Sequence, residues 1–449
     1  MNSINTALKN YNKKKAIYTI SNPHSRSTCM DKIRSGQSFL YREGGMQSMV
    51  VDVRMKDTIC ADSLKQALDK ALLRYPYLTY KMVEKRGDFY LVQNPLPFIL
   101  EETTELHSLG SEEINYHLID VTYKEKTIYI SFHHGLCDGR GIMPFVKTLI
   151  YYYCTYKYND KFNAQDIRLA GENLLPKETE EPYGNGRIEV NETNLPKVYK
   201  DGYALPDSIN SVNNNKYYRY EIKINHKNFM KFTKENNATP AIVIALLVSQ
   251  AIKNIYPNAE KPIICNVASD LRNGINMDNT FKNCVGSVSL PYIDKFEKLS
   301  FKEQVSVYRK MIEEHKNTDN IKRELNKQIH LSDKLDELPS YEEKKKMLSF
   351  FNKLITNTFI LSYVGQIKLG DCEKYIDSFH MYSSGTTGCS LQMLSVGKYI
   401  TINFMQSFKT DKYIKAFAKT LEESGLDFSI SDIIEFTTPK DSVSLTLGI

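Results

Sequence analysis

The sequence predicts an α/β protein with two lobes, each a mixed sheet with helices packed on it. β-type and helix-type patterns alternate along the chain. The 449 residues are too many for one hydrophobic core. Residues 172–215 are rich in Glu, Pro, Gly and Asn, which is typical of a connection between two halves. We therefore expect an N-terminal lobe over 1–175, a linker or crossover over 176–215 and a C-terminal lobe over 216–449.

In the first half, a β-rich run at residues 46–53 precedes a stretch with apolar residues at helical spacing. Asp62 or Ser63 is expected to cap this helix, and Pro76 to end it. A hairpin follows, with its turn at Gly87-Asp88.

A strand, a turn and a helix are then expected in direct succession. Residues 127–134 alternate between two faces, as a half-buried strand does. The glycines in residues 135–141 indicate a turn, and apolar residues from Ile142 to Tyr153 recur at helical spacing. A side chain at such a junction can be both exposed and held in place.

The second half shows a clear helix start at Thr239, an N-cap residue followed by Pro240. Residues 241–255 are apolar on nearly every face, so this helix should be buried. The remaining patterns predict strands at 263–267, 359–364, 391–396 and 399–405, and helices over most of 300–353 and near 412–424.

Composition limits the classes of function. The net charge of +6 is too small to indicate nucleic-acid binding by itself. The eight cysteines include no C-x-x-C pair, which is typical of a reduced, intracellular protein. Residues 1–15 lack the apolar core of a signal peptide, and the longest apolar run, 241–248, is too short to span a bilayer. We expect a cytoplasmic monomer.

One motif carries the chemistry. His133, His134, Asp138 and Gly139 form the pattern H-H-x-x-x-D-G at the end of the predicted strand. An imidazole there can accept a proton from an acceptor hydroxyl or amine and return it to a leaving group. Asp138 could orient the imidazole or anchor the turn, and Gly139 would let the backbone turn without a Cβ.

Two other readings of the motif are weaker. Cys137 lies beside a histidine but too close in sequence for good nucleophile–base geometry. The His-His-Asp cluster could suggest a metal, but adjacent strand residues point to opposite faces and rarely bind one ion. We therefore expect no metal.

The pattern resembles the motif of the chloramphenicol-acetyltransferase-like superfamily, which includes alcohol acyltransferases and the condensation domains of peptide synthetases. Residues 64–80 are similar to the family's first helix and the turn after it, and residues 270–272 to its second-half arginine segment. The D-F-G-W-G segment of the plant enzymes is absent, so the stand-alone alcohol acyltransferases are the most similar branch. The resemblance implies two lobes with an active-site tunnel between them.

The resemblance also implies roles for residues. His134 would be the general base and His133 a supporting residue, while Asp138 would pair with an arginine, for which Arg272 is the candidate. The segment Ser362-Tyr363-Val364-Gly365 occupies the place of a Ser-Asn-x-Gly segment near the tunnel, with Tyr where Asn is usual. Ser362 and Gly365 are thus candidates for an oxyanion or tunnel role.

The expected function is acyl transfer from a thioester to an alcohol or amine acceptor, without a covalent acyl-enzyme. No cofactor would be bound permanently; acyl-CoA or a phosphopantetheine thioester on a carrier protein would be the co-substrate. The alternative is a catalytically silent, condensation-like module that docks a carrier protein or peptide. The intact histidine pair favours the enzyme, because a scaffold would not need the base.

Overall fold

A computed structural model describes residues 30–42, 48–184, 188–190, 199–209 and 215–439. The expectation for the N-terminal residues 1–15 lies outside the described residues. So do Cys29 and residues 211–214 of the polar connection.

The strands in the described residues fall in three sheets. They are β1 (Asp31–Lys32), β2 (Ser48–Met55), β3 (Lys81–Lys85), β4 (Asp88–Val92), β5 (Leu100–Glu102), β6 (Ile119–Lys124), β7 (Thr127–His133), β8 (Lys216–Asn225), β9 (Ile263–Asp270), β10 (Val285–Tyr292), β11 (Phe359–Gln366), β12 (Ile376–Ser383), β13 (Cys389–Val396), β14 (Tyr399–Gln406), β15 (Phe428–Ile430) and β16 (Ile434–Thr437).

The α-helices cover most of the residues between these strands. They are α1 (Gln37–Leu40), α2 (Ala61–Arg74), α3 (Gly139–Tyr158), α4 (Pro206–Ile209), α5 (His226–Glu235), α6 (Pro240–Ile255), α7 (Asp294–Glu297), α8 (Phe301–His315), α9 (Thr318–Asp336), α10 (Tyr341–Lys353) and α11 (Lys412–Glu423). Short 3₁₀ turns lie at Pro76–Thr79, Glu112–Ile114, Arg272–Ile275 and Gly370–Tyr375.

The first large sheet has the strand order β12-β2-β7-β6-β5. Its outermost strand, β12, comes from late in the chain and pairs antiparallel with β2, with His380 opposite Asp52. No sequence pattern predicted the pairing of β12 with β2. Periodicity can indicate that a segment is a strand, but it does not show which sheet the strand joins. A smaller sheet, in the order β1-β4-β3, contains the predicted hairpin.

The second large sheet has the order β10-β9-β11-β13-β14-β8, and both β15 and β16 pair with β8. Strands β9, β11 and β13 run parallel, while the remaining pairs are antiparallel. Both large sheets are thus mixed, and the α/β fold class follows the prediction.

Each large sheet has its own hydrophobic core. The first core contains the apolar faces of α2 and α3, which pack on each other and on the first sheet. The second contains α6 and α11. Helix α6 is buried along most of its length, and Thr239 caps it by accepting a hydrogen bond from the N–H of Ile242, as the sequence predicts.

The N-cap of α2 differs from the prediction. Cys60 is the N-cap residue, so Asp62 and Ser63 lie inside the first turn. The negative charge of Asp62 still interacts favourably with the positive end of the helix dipole. The hairpin turn is displaced by one residue as well: Arg86 and Gly87 have positive φ angles, and Asp88 already belongs to β4.

Part of the polar connection is packed against the first half. The carboxylate of Glu178 is buried and accepts two hydrogen bonds of 2.8 Å from Arg74 and one of 2.7 Å from the hydroxyl of Tyr77. This buried ion pair fixes residue 178 to the end of α2. The division into lobes at 176–215 stays a prediction.

Within the described residues, no individual helix combines the length and hydropathy needed to cross a membrane. Among these residues, the pair of α5 and α6 taken together meets both requirements, but the two helices meet at an angle of 86°.

Candidate active site

Asp138 closes the turn between β7 and α3. It is the N-cap residue of α3, and its Oδ1 accepts a hydrogen bond of 2.8 Å from the backbone N–H of Gly141. Such a cap satisfies an N–H group that the first helical turn leaves unpaired. The helix therefore begins at Gly139, before the Ile142 that apolar spacing indicates, because spacing detects the buried face and not the cap.

His134 follows the last residue of β7 and lies in the wall of a large cavity. The ring is half-buried and stacks on Phe39, with 3.6 Å between ring centroids and 4° between ring planes. Stacking of this kind fixes the plane of the imidazole. The side chain is thus both accessible from the cavity and held in one orientation.

Asn283 selects the tautomer of His134. The side-chain Nδ2 of Asn283 donates to the backbone oxygen of His134 at 2.7 Å, which sets the amide orientation and leaves its Oδ1 as an acceptor. That oxygen lies 2.9 Å from Nδ1 of the imidazole. Because an amide oxygen only accepts, Nδ1 carries the proton and Nε2 holds the basic lone pair.

The surroundings of His134 favour the neutral ring. Burial lowers the pKa of His134 below its ordinary value, opposed by the charge of Asp138 and by the hydrogen bond to Asn283. Desolvation disfavours the charged form of any base. At neutral pH the imidazole is therefore free to accept a proton.

His133 lies in a different environment from its neighbour. Its side chain is 2% exposed, and its Nδ1 accepts a hydrogen bond of 2.9 Å from the backbone N–H of Gly135. Burial, with a smaller contribution from the charge of His134, lowers the pKa of His133 to about 4. This ring supports the turn and does not line the cavity.

Arg272 and Asp138 meet in a buried ion pair. Nη2 of Arg272 lies 2.9 Å from both carboxylate oxygens of Asp138, and Nη1 donates to Asp270 at 3.0 Å. The remaining donors reach the backbone oxygens of Thr280 and Lys282. All parts of the guanidinium are thus paired, which is how a buried charge is tolerated.

The ion pair connects the turn that carries His134 to the second half of the chain. The backbone N–H of Cys284 donates to Oδ2 of Asp138 at 2.9 Å. The preceding residue, Asn283, is the one that binds His134. The segment from Arg272 to Cys284 therefore positions both the turn and the imidazole.

Gly139 has a role other than the one the sequence suggests. Its φ is not positive, so the turn does not need the conformational freedom of glycine. A Cβ at this position would lie 2.8 Å from Cε of Met381 on β12 and 3.7 Å from a methyl group of Val364. The missing side chain makes room for these two residues at the start of α3.

The cavity has a volume of ≈ 1410 Å³ and is lined by both halves of the chain. Met49, Met143 and Met381 contribute apolar surface near α3, whereas β9, β11 and β13 contribute their side chains from the second sheet. A space of this size can hold a drug-sized ligand and a second reactant.

The candidate oxyanion segment is only partly in the cavity wall. Ser362, Tyr363 and Val364 line it, but Gly365 does not. Gly365 has φ of +101° at the point where the pairing of β11 with β13 shifts register. An oxyanion role for Ser362 stays a prediction, and Gly365 shapes the bulge beside it.

Cys137 is fully buried, and burial raises the pKa of its thiol well above the ordinary value. A protonated, inaccessible thiol is a poor nucleophile.

Two residues of the site were missed from the sequence. Phe39 lies in a segment without a pattern that would indicate it. Asn283 begins the segment Asn283-Cys284-Val285-Gly286, which is faintly similar to a later condensation-domain motif, but that similarity did not indicate contact with His134.

The chain shares its fold with solved structures that include a coenzyme-A-bound protein and a condensation domain. The structure places His134, Asp138 and Gly139 of the H-H-x-x-x-D-G segment in the cavity wall. No family model matches the sequence, and no curated protein sequence matches it. The similarity to solved structures is therefore a similarity of fold.

Three of these structures have nearly the same extent as this chain. Polyketide synthase associated protein 5 from Mycobacterium tuberculosis has a TM-score of 0.58 at 14% identity, over 88% of this chain and 98% of that one. TRI101 of F. sporotrichioides, solved with coenzyme A and T-2, has a TM-score of 0.56 at 10% identity, over 89% and 99%. The first condensation domain of the calcium-dependent antibiotic synthetase has a TM-score of 0.55 at 11% identity, over 89% of this chain and 96% of that one.

Proposed function

We propose that this protein transfers an acyl group from a thioester to an alcohol or amine, with His134 as general base. The observation that carries the proposal is the hydrogen bond from Nδ1 of His134 to Asn283, which leaves Nε2 unprotonated on a residue of the cavity wall. The shared fold with a coenzyme-A-bound structure and with a condensation domain supports the same class of reaction.

The reaction needs one base and no covalent enzyme intermediate. Nε2 of His134 takes the proton of the acceptor O–H or N–H while the acceptor attacks the thioester carbonyl. The tetrahedral intermediate then expels the sulfur, and the imidazolium returns the proton to it. The products are an ester or amide and a free thiol, and His134 is regenerated. Positioned proton transfer of this kind contributes ~10²–10⁴ in rate.

Asp138 and Arg272 act in this proposal as positioning residues. Neither needs to touch a substrate, because their hydrogen bonds hold the turn that carries His134. His133 supports the same turn through Gly135.

A cluster of cations favours a phosphate-bearing thioester as donor. Lys147, Arg168 and Lys368 all line the cavity. Burial lowers the pKa of Lys147; the charge of Asp166 opposes this, and the positive charges of Arg168 and Lys368 add to it. Cations this close together repel each other, and a bound anion would relieve the repulsion. Coenzyme A and carrier-bound phosphopantetheine both provide phosphate.

Thiol release tests the function. The protein is incubated with a panel of acyl-CoA thioesters and a cell extract as acceptor source, and free thiol and acylated products are measured. His134→Ala should lower thiol release by ~10²–10⁴, with an unchanged unfolding temperature. His330→Ala, an exposed histidine on α9, is the matched control and should retain full activity.

Retained turnover in His134→Ala would refute the proposed base. Stable binding of a carrier protein, without turnover of any donor in the panel, would instead support the docking module.

A second experiment tests the donor. Lys147→Ala and Lys368→Ala should each raise the KM for acyl-CoA by about tenfold, since a hydrogen bond to a charged group is lost. The KM for the corresponding acyl-pantetheine, which lacks phosphate, should not change. Lys231→Ala on α5 is the control. Equal effects on both donors would exclude a phosphate contact at this cluster.

A further inference from the structure

The second sheet presents a row of uncharged polar side chains to the cavity. On β13, Leu391 and Met393 point into the second core, while Ser390 and Gln392 alternate with them and line the cavity. The alternation follows from the two-residue period of a strand. This polar face is therefore a property of the strand and not of a mobile loop.

The neighbouring strands continue the same face. In the parallel pairing of β11 with β13, Ser362 lies beside Gln392 and Ile360 beside Ser390. In the next pair, Asn266 of β9 lies beside Ile360. All five residues line the cavity. Hydroxyl and amide groups thus extend across three strands, about 4.8 Å apart from strand to strand.

Two of these groups have unused hydrogen-bonding capacity. Ser390 is 2% exposed and Gln392 is 8% exposed. Neither Oγ of Ser390 nor Oε1 of Gln392 has a hydrogen-bond partner within the described residues. Buried polar groups in native proteins are nearly always paired, so an unpaired group in a cavity wall calls for a partner from the cavity.

Another part of the cavity lining has a different chemistry. Met49, Met143 and Met381 come from β2, α3 and β12 and contribute apolar surface. Thioether side chains are flexible and apolar, and suit a hydrocarbon portion of variable shape. The polar strands and the methionines therefore suit a polar part and an apolar part, respectively, of a bound molecule.

We infer that the polar face of β9, β11 and β13 binds the acyl acceptor, and that this acceptor is an uncharged molecule bearing several hydroxyl or amide groups. This inference rests on the proposed function. A hydrocarbon acceptor would displace water from Ser390 and Gln392 without replacing its hydrogen bonds, which costs affinity. Ser390 can donate and accept, and Oε1 of Gln392 accepts from an O–H or N–H.

Binding is measured separately from turnover. Saturation-transfer NMR titrations, with the protein in the presence of coenzyme A, use sorbitol as a polyol, N-acetylserinamide as an amide and 1-hexanol as an apolar alcohol. The variants are Ser390→Ala and Gln392→Leu. Ser395→Ala is the matched control: this serine lies on the same strand, is buried and donates to the backbone oxygen of Tyr399.

At least one polar probe should bind wild type more tightly than 1-hexanol. Its affinity should fall by about tenfold in Ser390→Ala and in Gln392→Leu, as expected for one lost hydrogen bond, and stay unchanged in Ser395→Ala. The better of the two polar probes identifies the polyol or the amide as the source. The inference is overturned if neither polar probe binds, if 1-hexanol binds as tightly, or if the two variants bind like wild type.

The His134→Ala variant separates this inference from the proposed function. It should still bind the polar probe more tightly than 1-hexanol, because the hydrogen bonds to Ser390 and Gln392 remain when His134 is lost. Probe binding that depends on Ser390 and Gln392, in a protein that releases no thiol, would refute the function and retain the site. Thiol release that is equally fast with 1-hexanol in wild type, Ser390→Ala and Gln392→Leu would retain the function and refute the site.

Discussion

His133 and His134 are consecutive in sequence and opposite in their surroundings. Nδ1 of His133 accepts a hydrogen bond from a backbone N–H, so a neutral His133 carries its proton on Nε2. Nδ1 of His134 donates to Asn283, so Nε2 of that ring is bare. Two identical side chains thus adopt opposite tautomers because their partners differ.

The difference shows that a residue type does not determine its role at this site. The first imidazole is a buried acceptor that holds the turn, and the second is the proposed base in the cavity wall. Three changes to the site would test this distinction, and their expected effects differ in size.

The largest effect should come from the ion pair on which both rings depend. Arg272→Leu leaves the carboxylate of Asp138 buried without its cation, which should lower the free energy of unfolding by roughly 3–5 kcal/mol. Denaturant unfolding measures this. Lys65→Met, which removes an exposed pair with Asp69, should change it by less than about 1 kcal/mol. Equal losses in the two variants would contradict a structural role for Arg272.

The second-largest effect should come from lowering the pH, which should reduce stability by protonating His133. Its pKa is about 4 in the folded protein, against an ordinary 6.5, so the unfolded chain binds the proton first as pH falls. The stability due to the neutral ring is fully present above pH 6.5 and is lost as pH falls towards 4. The loss should be roughly 3 kcal/mol.

His133→Gln retains an acceptor for Gly135 but does not titrate, so its unfolding free energy should depend less on pH over that range. His380 is a second buried histidine whose pKa burial lowers to about 4, and His380→Gln should flatten the profile similarly. Of the two histidines of the motif, only His134 should affect the rate at neutral pH when it is changed. A profile identical to wild type in His133→Gln would show that this ring does not titrate as proposed.

Asn283 should have the smallest effect. Asn283→Leu frees the imidazole to adopt either tautomer and should lower kcat by about tenfold, as expected for one lost hydrogen bond. Because the bond to Asn283 raises the pKa of His134, its loss should also move the acidic limb of the pH–rate profile to lower pH. The limb in wild type should itself lie below pH 6.5. A limb that moves to higher pH would exclude this contact.

The sequence predicted those features that depend on local periodicity. The alternation ending at His134 and the buried α6 follow from spacing, and the N-cap at Thr239 follows from the residue types Thr and Pro. The partners of His134 do not. Asn283 follows it by 149 positions along the chain, and the contact exists only because β10 and the 3₁₀ turn at Arg272 fold back over the start of α3.

The same limit applies to the sheets. The sequence analysis predicted no strand at residues 376–383, and only the structure shows that they pair with β2 in the first sheet. The role of Gly139 could not be predicted from the sequence either, because it depends on the packing of Met381, which lies on that strand.

Because β12 lies late in the chain and pairs with β2, the first sheet is completed only late in synthesis. Until residue 383 has emerged, β2 has an open edge, and the first core lacks Phe379 and Met381. An unpaired strand edge is a template for association with other chains. A nascent chain that stops within the second half therefore leaves the first half incomplete, and the two cores must mature together.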